Sequence, residues 1–569
     1  MKKINNLIKL VLFCGVVLLS SCETTNVDIT KNPNALTPDQ ANPDFFLNSV
    51  QVNFAFFVEG FGRTGSQMTR IDYMSGRDYT NAFSPTSFDG RWSSAYRGML
   101  LDLKTMNSLA EESGLTHHIA MGQVMQSYIL MTLVDFFGDI PYTEALLGGE
   151  NLNPASDSGE SVYAAAITLL DSAIANFNDT ALADPELDFF YDGDWDKWIK
   201  AANTLKMKAY MATRLVDGSA IASFNSIVTS GNYIASTADD FQFNWGKNVL
   251  QPDTRHPAYS ASYTTTGGGR YMSNSLMDYM AGTDPDAYSS PSRFDIRTLF
   301  YFYRQVSQTP GIGGEPADEE VLECGLINPP PHYAGYTYCG VPKGWWGRDH
   351  GNDNGIPPDG FLRTLNGVYP AGGTLDDLSY DPQVNGDGNG GAGITPIMLA
   401  SWTKFMIAET LMVAGDAPTA KTTMFEGINM SIDKVINFSP KTDRYNSIFG
   451  TADGGPALAL ESDYIDWFNA DLSAEWDAGS TSDKWDILSM QYFVAMFGNG
   501  TDAYNFYRRT GYPTTLQPNI EPTPGGFIRS FFYPANYTNT NSNATQKSGV
   551  DIQVFWDTNP ASPGFPVAN

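Results

Sequence analysis

Two blocks of helical periodicity flank a long stretch, residues 232–395, that has none, and this interruption limits the architectures open to the chain. On the N-terminal side, SSAYRGMLLDLKTMNSLAEE (93–112), HIAMGQVMQSYILMTLVDFF (118–137), VYAAAITLLDSAIANF (162–177) and WDKWIKAANTLKMKAYMATRLV (195–216) space apolar residues three and four apart, as amphipathic helices require. The second is apolar all round and is expected at the centre; it stops at Gly138, with Pro141 behind it as a breaker. On the C-terminal side, 401–436 reads as two helices broken at Gly415-Asp416-Ala417-Pro418, and 484–510 as two more broken at Gly498-Asn499-Gly500. Between the blocks Gly, Pro, Asn, Asp and Tyr dominate, with GGGR, NPPP and NGDGNGGAG. A connection of that length inside a compact domain usually carries function.

The expected fold class is mainly α. A tetratricopeptide-like scaffold of helical pairs comes from both ends of one domain, residues 45–569, at about 45–231 and 396–513. It carries a long, irregular, loop-rich insertion at about 232–395 and an irregular C-terminal wrap, 514–569. A shorter aromatic-bearing loop, 69–90, interrupts the first block. Pairing carries this reading, because the repeats hold no fixed period.

The first residues bear on location. MKKINNLIK is basic, LVLFCGVVLL (10–19) is a ten-residue apolar run too short to span a bilayer, and Ser20, Ser21 and Cys22 follow. Residues 1–21 read as a signal peptide. Leu19-Ser20-Ser21-Cys22 looks like a bacterial lipobox, which makes Cys22 the lipidated N-terminus and 22–44, with Pro33, Pro38 and Pro43, an extended tether. Plain secretion with cleavage near Ser21 is the alternative. No later run of 18 or more apolar residues follows, so a lipid anchor is the expected membrane attachment. With Cys14 lost and Cys22 lipidated, Cys324 and Cys339 remain in an exported chain. A disulfide between them closes a loop of about 15 residues, worth on the order of 3 kcal/mol in the chain-entropy model. A zinc site there fails for want of ligands, since His332 is the one histidine in the loop.

Without Lys2, Lys3 and Lys9 of the signal segment, the formal charge moves from −29 to −32. Such a surface repels phosphate backbones and anionic lipid heads, so no nucleic-acid partner is expected and solubility accounts for the charge. No HExxH, GxSxG, P-loop or CxxC occurs, and the GxGxxG from Gly388 to Gly393 lacks the preceding strand a dinucleotide site needs. Asn385, Asp387 and Asn389 are spaced like the start of a calcium loop, but the closing carboxylate is missing; a polar turn and no cofactor are expected, with calcium as the alternative. His117 and His118 are expected on the surface. A glycosidase needs two opposed carboxylates, and among 63 acidic residues no feature picks out a pair.

The remaining signal is aromatic. Tyr333, Tyr336 and Tyr338 lie within the disulfide loop, and Trp345 and Trp346 sit side by side just beyond it. Flat rings serve the C–H face of a sugar, while Arg348, Asp349, His350, Asn352 and Asp353 offer partners for its hydroxyl rim. A disulfide would lower the ordering cost of binding. The competing account has the tryptophans plugging the loop onto the scaffold. The expectation is a compromise, one ring buried and one presented to solvent.

Several motifs in order resemble the SusD/RagB-like outer-membrane lipoproteins of Bacteroidetes: Asn32-Pro33-Asn34, LVDFFGDIPYTEAL (133–146), WIKAANTLKMKAYM, GRDHGNDNGIPPDG with GVYPAGG, FMIAETLMVAGDAPTA, YNFYRRTGYP (504–513) and VFWD (554–557). The resemblance runs through nearly all of the mature chain. It implies a mainly helical fold and no catalysis. It also implies capture of polysaccharide or oligosaccharide, or of peptides or other oligomers, by a lid on a SusC-like TonB-dependent transporter. The scaffold would face that barrel and the insertion would carry the ligand. Acidic residues after the cysteine, which often send such lipoproteins to the outer face, are here only Glu23 and Asp28. Three readings follow: a glycan-binding lid, the same lid with a peptide ligand, and a secreted glycoside hydrolase on a helical fold.

Overall fold

The computed structural model describes residues 42–263, 270–282, 294–312, 323–353, 363–381, 383, 386–438, 441, 446 and 461–560. Cys22 and the tether therefore lie outside the described residues.

The N-terminal block forms α1 (Pro43–Met68), α2 (Leu101–Ser113), α3 (Thr116–Phe137), α4 (Gly159–Phe177), α5 (Trp195–Thr213) and α6 (Ala220–Ser230). Consecutive members from α2 to α6 pack on one another, and α1 lies against α2 and α3. Local chemistry sets their ends. Ser158 and Asp194 accept the backbone N–H groups of Ser161 and Lys197 at 3.2 Å, capping α4 and α5. Gly114 ends α2 at φ +65°, a left-handed conformation that costs glycine little. The aromatic-bearing loop at 69–90 holds a short helix, Tyr79–Ala82, and a 3₁₀ turn, Pro85–Phe88, and leads through Asp89–Ser93 into a π-helical stretch, Ser94–Leu100.

Helix α3 is the central element. It is long and apolar enough to cross a membrane, yet 89% of its apolar window is buried inside the fold. His117 and His118 are not on the surface as expected. His117 Nδ1 sits 2.6 Å from Asp184 and its ring 4.5 Å from Trp195, while His118 Nε2 meets Asp44 at 3.1 Å. The two rings do diverge, but α1 and the 179–184 turn cover both directions.

The C-terminal block gives α8 (Ala400–Val413), α9 (Ala417–Ile436), α10 (Glu461–Ala478), α11 (Thr481–Ala495) and α12 (Thr501–Thr510). Asp416 caps α9 at the expected break, and a capping box of Ser480 and Asp483 starts α11. The break before α12 brings backbones close: a Cβ on Gly65 of α1 would lie 2.3 Å from the Gly500 carbonyl oxygen. Glycine there lets α1 and α12 touch and join the two blocks.

Between the blocks, α7 (Asn274–Ala281) is a two-turn helix too short to show as a period in the sequence. Strand β1 (Phe241–Asn244) pairs antiparallel with β4 (Ile394–Met398), and β2 (Phe302–Tyr303) with β3 (Leu365–Asn366). The β1–β4 pair ties the two ends of the insertion together.

Charged groups bind these pieces at depth. Asp135 of α3 accepts from Asn505 (2.7 Å), from Trp556 (3.0 Å) and from the Tyr163 hydroxyl. Arg508 donates to the carbonyls of Asp135 and Arg529 and lies over the Tyr504 and Trp556 rings. Arg529 is paired with Asp557, and Glu409 accepts from both Arg214 and Arg509. LVDFF, AET, YNFYRR and VFWD thus meet in one buried network. Burial pushes the Asp135 carboxyl upward, whereas the flanking arginines hold Glu409 below its ordinary value despite burial.

Candidate ligand-binding groove

Cys324 and Cys339 are disulfide-bonded, with Cα atoms 5.5 Å apart. The chain then passes through Trp345 and Trp346, whose rings enter different apolar clusters. Trp345 enters the main core, 6.3 Å from the Phe302 ring centroid and with the Arg304 guanidinium 4.2 Å above it. Trp346 turns the other way and packs on the disulfide with Val306, Ile312 and Tyr338. Both are 0% exposed, and both indole N–H groups lack a partner. The expectation of one ring presented to solvent is therefore corrected: each ring has its own apolar cover, scaffold for one and disulfide loop for the other.

The predicted hydroxyl partners turn inward as well. Arg348 lies 4.2 Å from the Tyr271 ring. Asp349 accepts from Asn274 (3.0 Å), Gln517 (3.0 Å) and the Cys339 backbone (2.7 Å), and burial raises its carboxyl against these donors. His350 Nε2 is 3.2 Å from the Tyr79 hydroxyl, and burial holds the ring well below its usual pKa, hence neutral. The Asn352 carbonyl accepts the Tyr73 hydroxyl. All four residues are buried, so their assignment as direct ligand contacts is corrected too. An irregular segment offers its backbone few partners of its own, and polar side chains here act as internal clips. Asp353 is exposed and pairs with Arg77 at 2.7 Å.

The tyrosines divide. Tyr333 is buried, its hydroxyl on the Pro518 carbonyl at 2.9 Å, and Tyr338 packs edge-on to it at 5.6 Å. Tyr336 alone among the predicted aromatic residues stands well out, at 37% exposure. It lines a cavity of about 400 Å³ with Ser275, Asp278, Tyr279, Thr337 and Gln517. A second cavity of about 430 Å³ shares Tyr279, Met490 and Thr515 with the first and continues to Asp483 and Asp486. Together they form one groove where the insertion, α7, α11 and the start of the tail meet. No arginine or lysine is among its described lining residues.

The rim is held from behind. Gln517 donates to the Thr337 carbonyl at 2.8 Å and to Asp349, and Gln491 donates to the Tyr279 hydroxyl at 2.9 Å. Burial raises the carboxyls of Asp278 and Asp486, against hydrogen bonds from Thr337 and Thr514 respectively. Asp278, Tyr279, Asp486, Thr515 and Gln517 were not singled out by sequence. They come from remote segments, and no spacing links them.

Asn385 of the calcium motif lies outside the described residues. The Asp387 carbonyl accepts the Tyr259 hydroxyl at 2.8 Å and Asn389 donates to the Ala392 carbonyl at 3.1 Å, as in a polar turn. Among the described residues no three His, Cys, Asp or Glu side chains come together as a metal cluster.

Residues 37–288 match a family model described as "Starch-binding associating with outer membrane", and residues 392–553 match one described as "Susd and RagB outer membrane lipoprotein". The fold is similar to a chitin-binding SusD homolog from Flavobacterium johnsoniae, at 16% identity and TM-score 0.59, covering 92% of this chain and 100% of that one. It is similar also to a SusD/RagB family protein from Bacteroides thetaiotaomicron (20% identity, TM-score 0.60, 91% and 99% covered). A SusD homolog from Bacteroides uniformis aligns comparably, at 19% identity and TM-score 0.60 over 90% and 99% of the chains. At these identities the likeness is one of fold. No curated protein matches the chain.

Proposed function

This chain belongs to the SusD/RagB family of outer-membrane lipoproteins, and from that premise we propose that it captures polysaccharide or oligosaccharide at the cell surface without transforming it. In this reading the bound glycan passes to a partner SusC-like TonB-dependent transporter. The observation that carries the reading is the groove beside Tyr336, where an exposed ring stands on a loop fixed by the disulfide, Gln517 and Asp349. A ring held in place stacks on a sugar's C–H face with little ordering cost. Ser275, Thr337, Thr515 and Gln517 are the hydroxyl-facing partners. A wall of carboxylates without a cation favours a neutral glycan over a uronate polymer. The chitin-binding Flavobacterium protein makes chitin oligomers a reasonable first trial.

Affinity gel electrophoresis tests this, with soluble glucans, mannans, xylans, glycol chitin, alginate and pectin cast into separate gels. Retardation by a neutral polymer, reduced in Tyr336→Ala, is the expected result. Retardation by none of them would shift the reading to peptides or another oligomer, and release of reducing sugar by the purified chain would overturn the non-catalytic role.

A further inference from the structure

Buried carboxylates in this fold have their charge answered. Asp295 pairs with Arg297 at 2.6 Å, Asp376 with Arg304 at 2.7 Å, Glu409 with Arg509 at 2.7 Å and Asp240 with Lys434 at 2.6 Å. Asp135 and Asp349, without such an ion pair, each accept from three neutral residues.

The groove beside Tyr336 is different. Asp278 of α7 and Asp486 of α11 are half-buried in its wall, and burial raises both carboxyls. Thr337 donates to Asp278, and Thr514 serves Asp486 through its backbone N–H and its hydroxyl. Neither acid meets an arginine or lysine among the described residues. Asp483, one turn before Asp486 and lining the same cavity, pushes the Asp486 carboxyl up further.

A desolvated carboxylate without a cation is destabilising, and a cation brought by a ligand relieves it. Among the described residues no three His, Cys, Asp or Glu side chains come together, so these charges are spread along the groove and not gathered for a metal ion. Tyr279 and Tyr336 line the same walls, and the face of a tyrosine ring attracts an organic ammonium. An ammonium donates three hydrogen bonds with a full charge, where a hydroxyl donates one with none.

We propose that the groove takes a glycan whose rings carry free, protonated primary amines, an amino sugar without its acyl group, its ammonium groups pairing with Asp278 and Asp486. This rests on the reading of the groove as a glycan site and names the sugar class that the site prefers.

Titration calorimetry on the full chain tests it, with the β-1,4-linked hexamers of glucosamine, N-acetylglucosamine and glucose as probes. The three differ at one substituent, and at pH 6 an amine is protonated and an ordinary carboxylate ionised. The glucosamine hexamer is expected to bind at least about tenfold more tightly than either neutral hexamer, by a ratio that falls as sodium chloride is raised. Asp278→Asn and Asp486→Asn should each lower that ratio about threefold or more. Glu112→Gln, at an exposed position near the end of α2, should not move it. Should one Asn variant fail to fold, the other carries the test. Equal binding of charged and neutral hexamers overturns the proposal and leaves the groove a site for neutral glycans. Binding of no hexamer overturns it too, and the glycan reading then stands or falls on the polysaccharide gels and Tyr336→Ala. A ratio that falls equally in Glu112→Gln marks attraction to an acidic surface at large, and binding of tetralysine in place of the glucosamine hexamer marks a basic peptide; either result overturns the proposal.

Discussion

The buried network around Asp135 and the disulfide loop around Asp349 use the same materials, carboxylates, arginines, tyrosines and tryptophans, to different ends. Around Asp135 they join α3, α12 and the tail, and nothing projects. Around Asp349 an equally closed set of hydrogen bonds sits one layer behind an open groove, and Tyr336 stands on the far side of it. Polar and aromatic density therefore marks the framework in both places. What distinguishes the proposed ligand-facing region is a single exposed ring on a fixed loop.

The largest expected effect breaks the first region. Asp135→Ala would orphan three buried donors, those of Tyr163, Asn505 and Trp556, at about 1–3 kcal/mol each. That consumes much of the 5–15 kcal/mol by which domains are ordinarily stable, so the variant is expected in the insoluble fraction, and its yield after refolding is the check. Trp346→Ala strikes the second region. Emptying an indole site beside the disulfide costs about 3–5 kcal/mol, seen as a lower urea midpoint. A neutral effect on stability with lost binding would instead restore the tryptophan to the ligand surface.

A smaller effect sharpens the comparison through pH. Burial lowers the pKa of His118 in the scaffold, and of His256 and His350 in the insertion, below 6.5. A depressed histidine stays neutral in the folded state while the unfolded chain takes up the proton. Its contribution is present above pH 6.5 and is lost as pH falls toward the folded value. One pH unit below 6.5, each histidine can cost up to about 1.4 kcal/mol. Urea unfolding at pH 7.5 and 5.5 should show that loss, and His350→Asn should diminish it.

The sequence revealed the scaffold better than the site, for a physical reason. Helix periods, the Asp416 cap and the Gly498–Gly500 break are local signals, so the helices and their ends were legible. The network around Asp135 joins residues hundreds of positions apart, and its members showed in sequence only as family motifs. Trp345 and Trp346 read as an exposed-looking pair in a glycine-rich loop, but each ring finds its own apolar cluster, the main core for Trp345 and the disulfide for Trp346. Tyr336 was named among the loop aromatics without anything to separate it from Tyr333. Tyr279, Asp486 and Gln517 carry no signal, because a groove built from four remote segments leaves no spacing to read. His117 and His118 were misplaced because their cover comes from α1 and the turn at 179–184.

The most direct test is the affinity of Tyr336→Ala for whichever polysaccharide retards the unmodified protein, measured by titration calorimetry beside its thermal midpoint. The account predicts binding weaker by about two- to tenfold, the order expected for losing one aromatic contact of about 0.5–1.5 kcal/mol, with an unchanged midpoint. Undiminished affinity would contradict it and place the ligand elsewhere on the molecule.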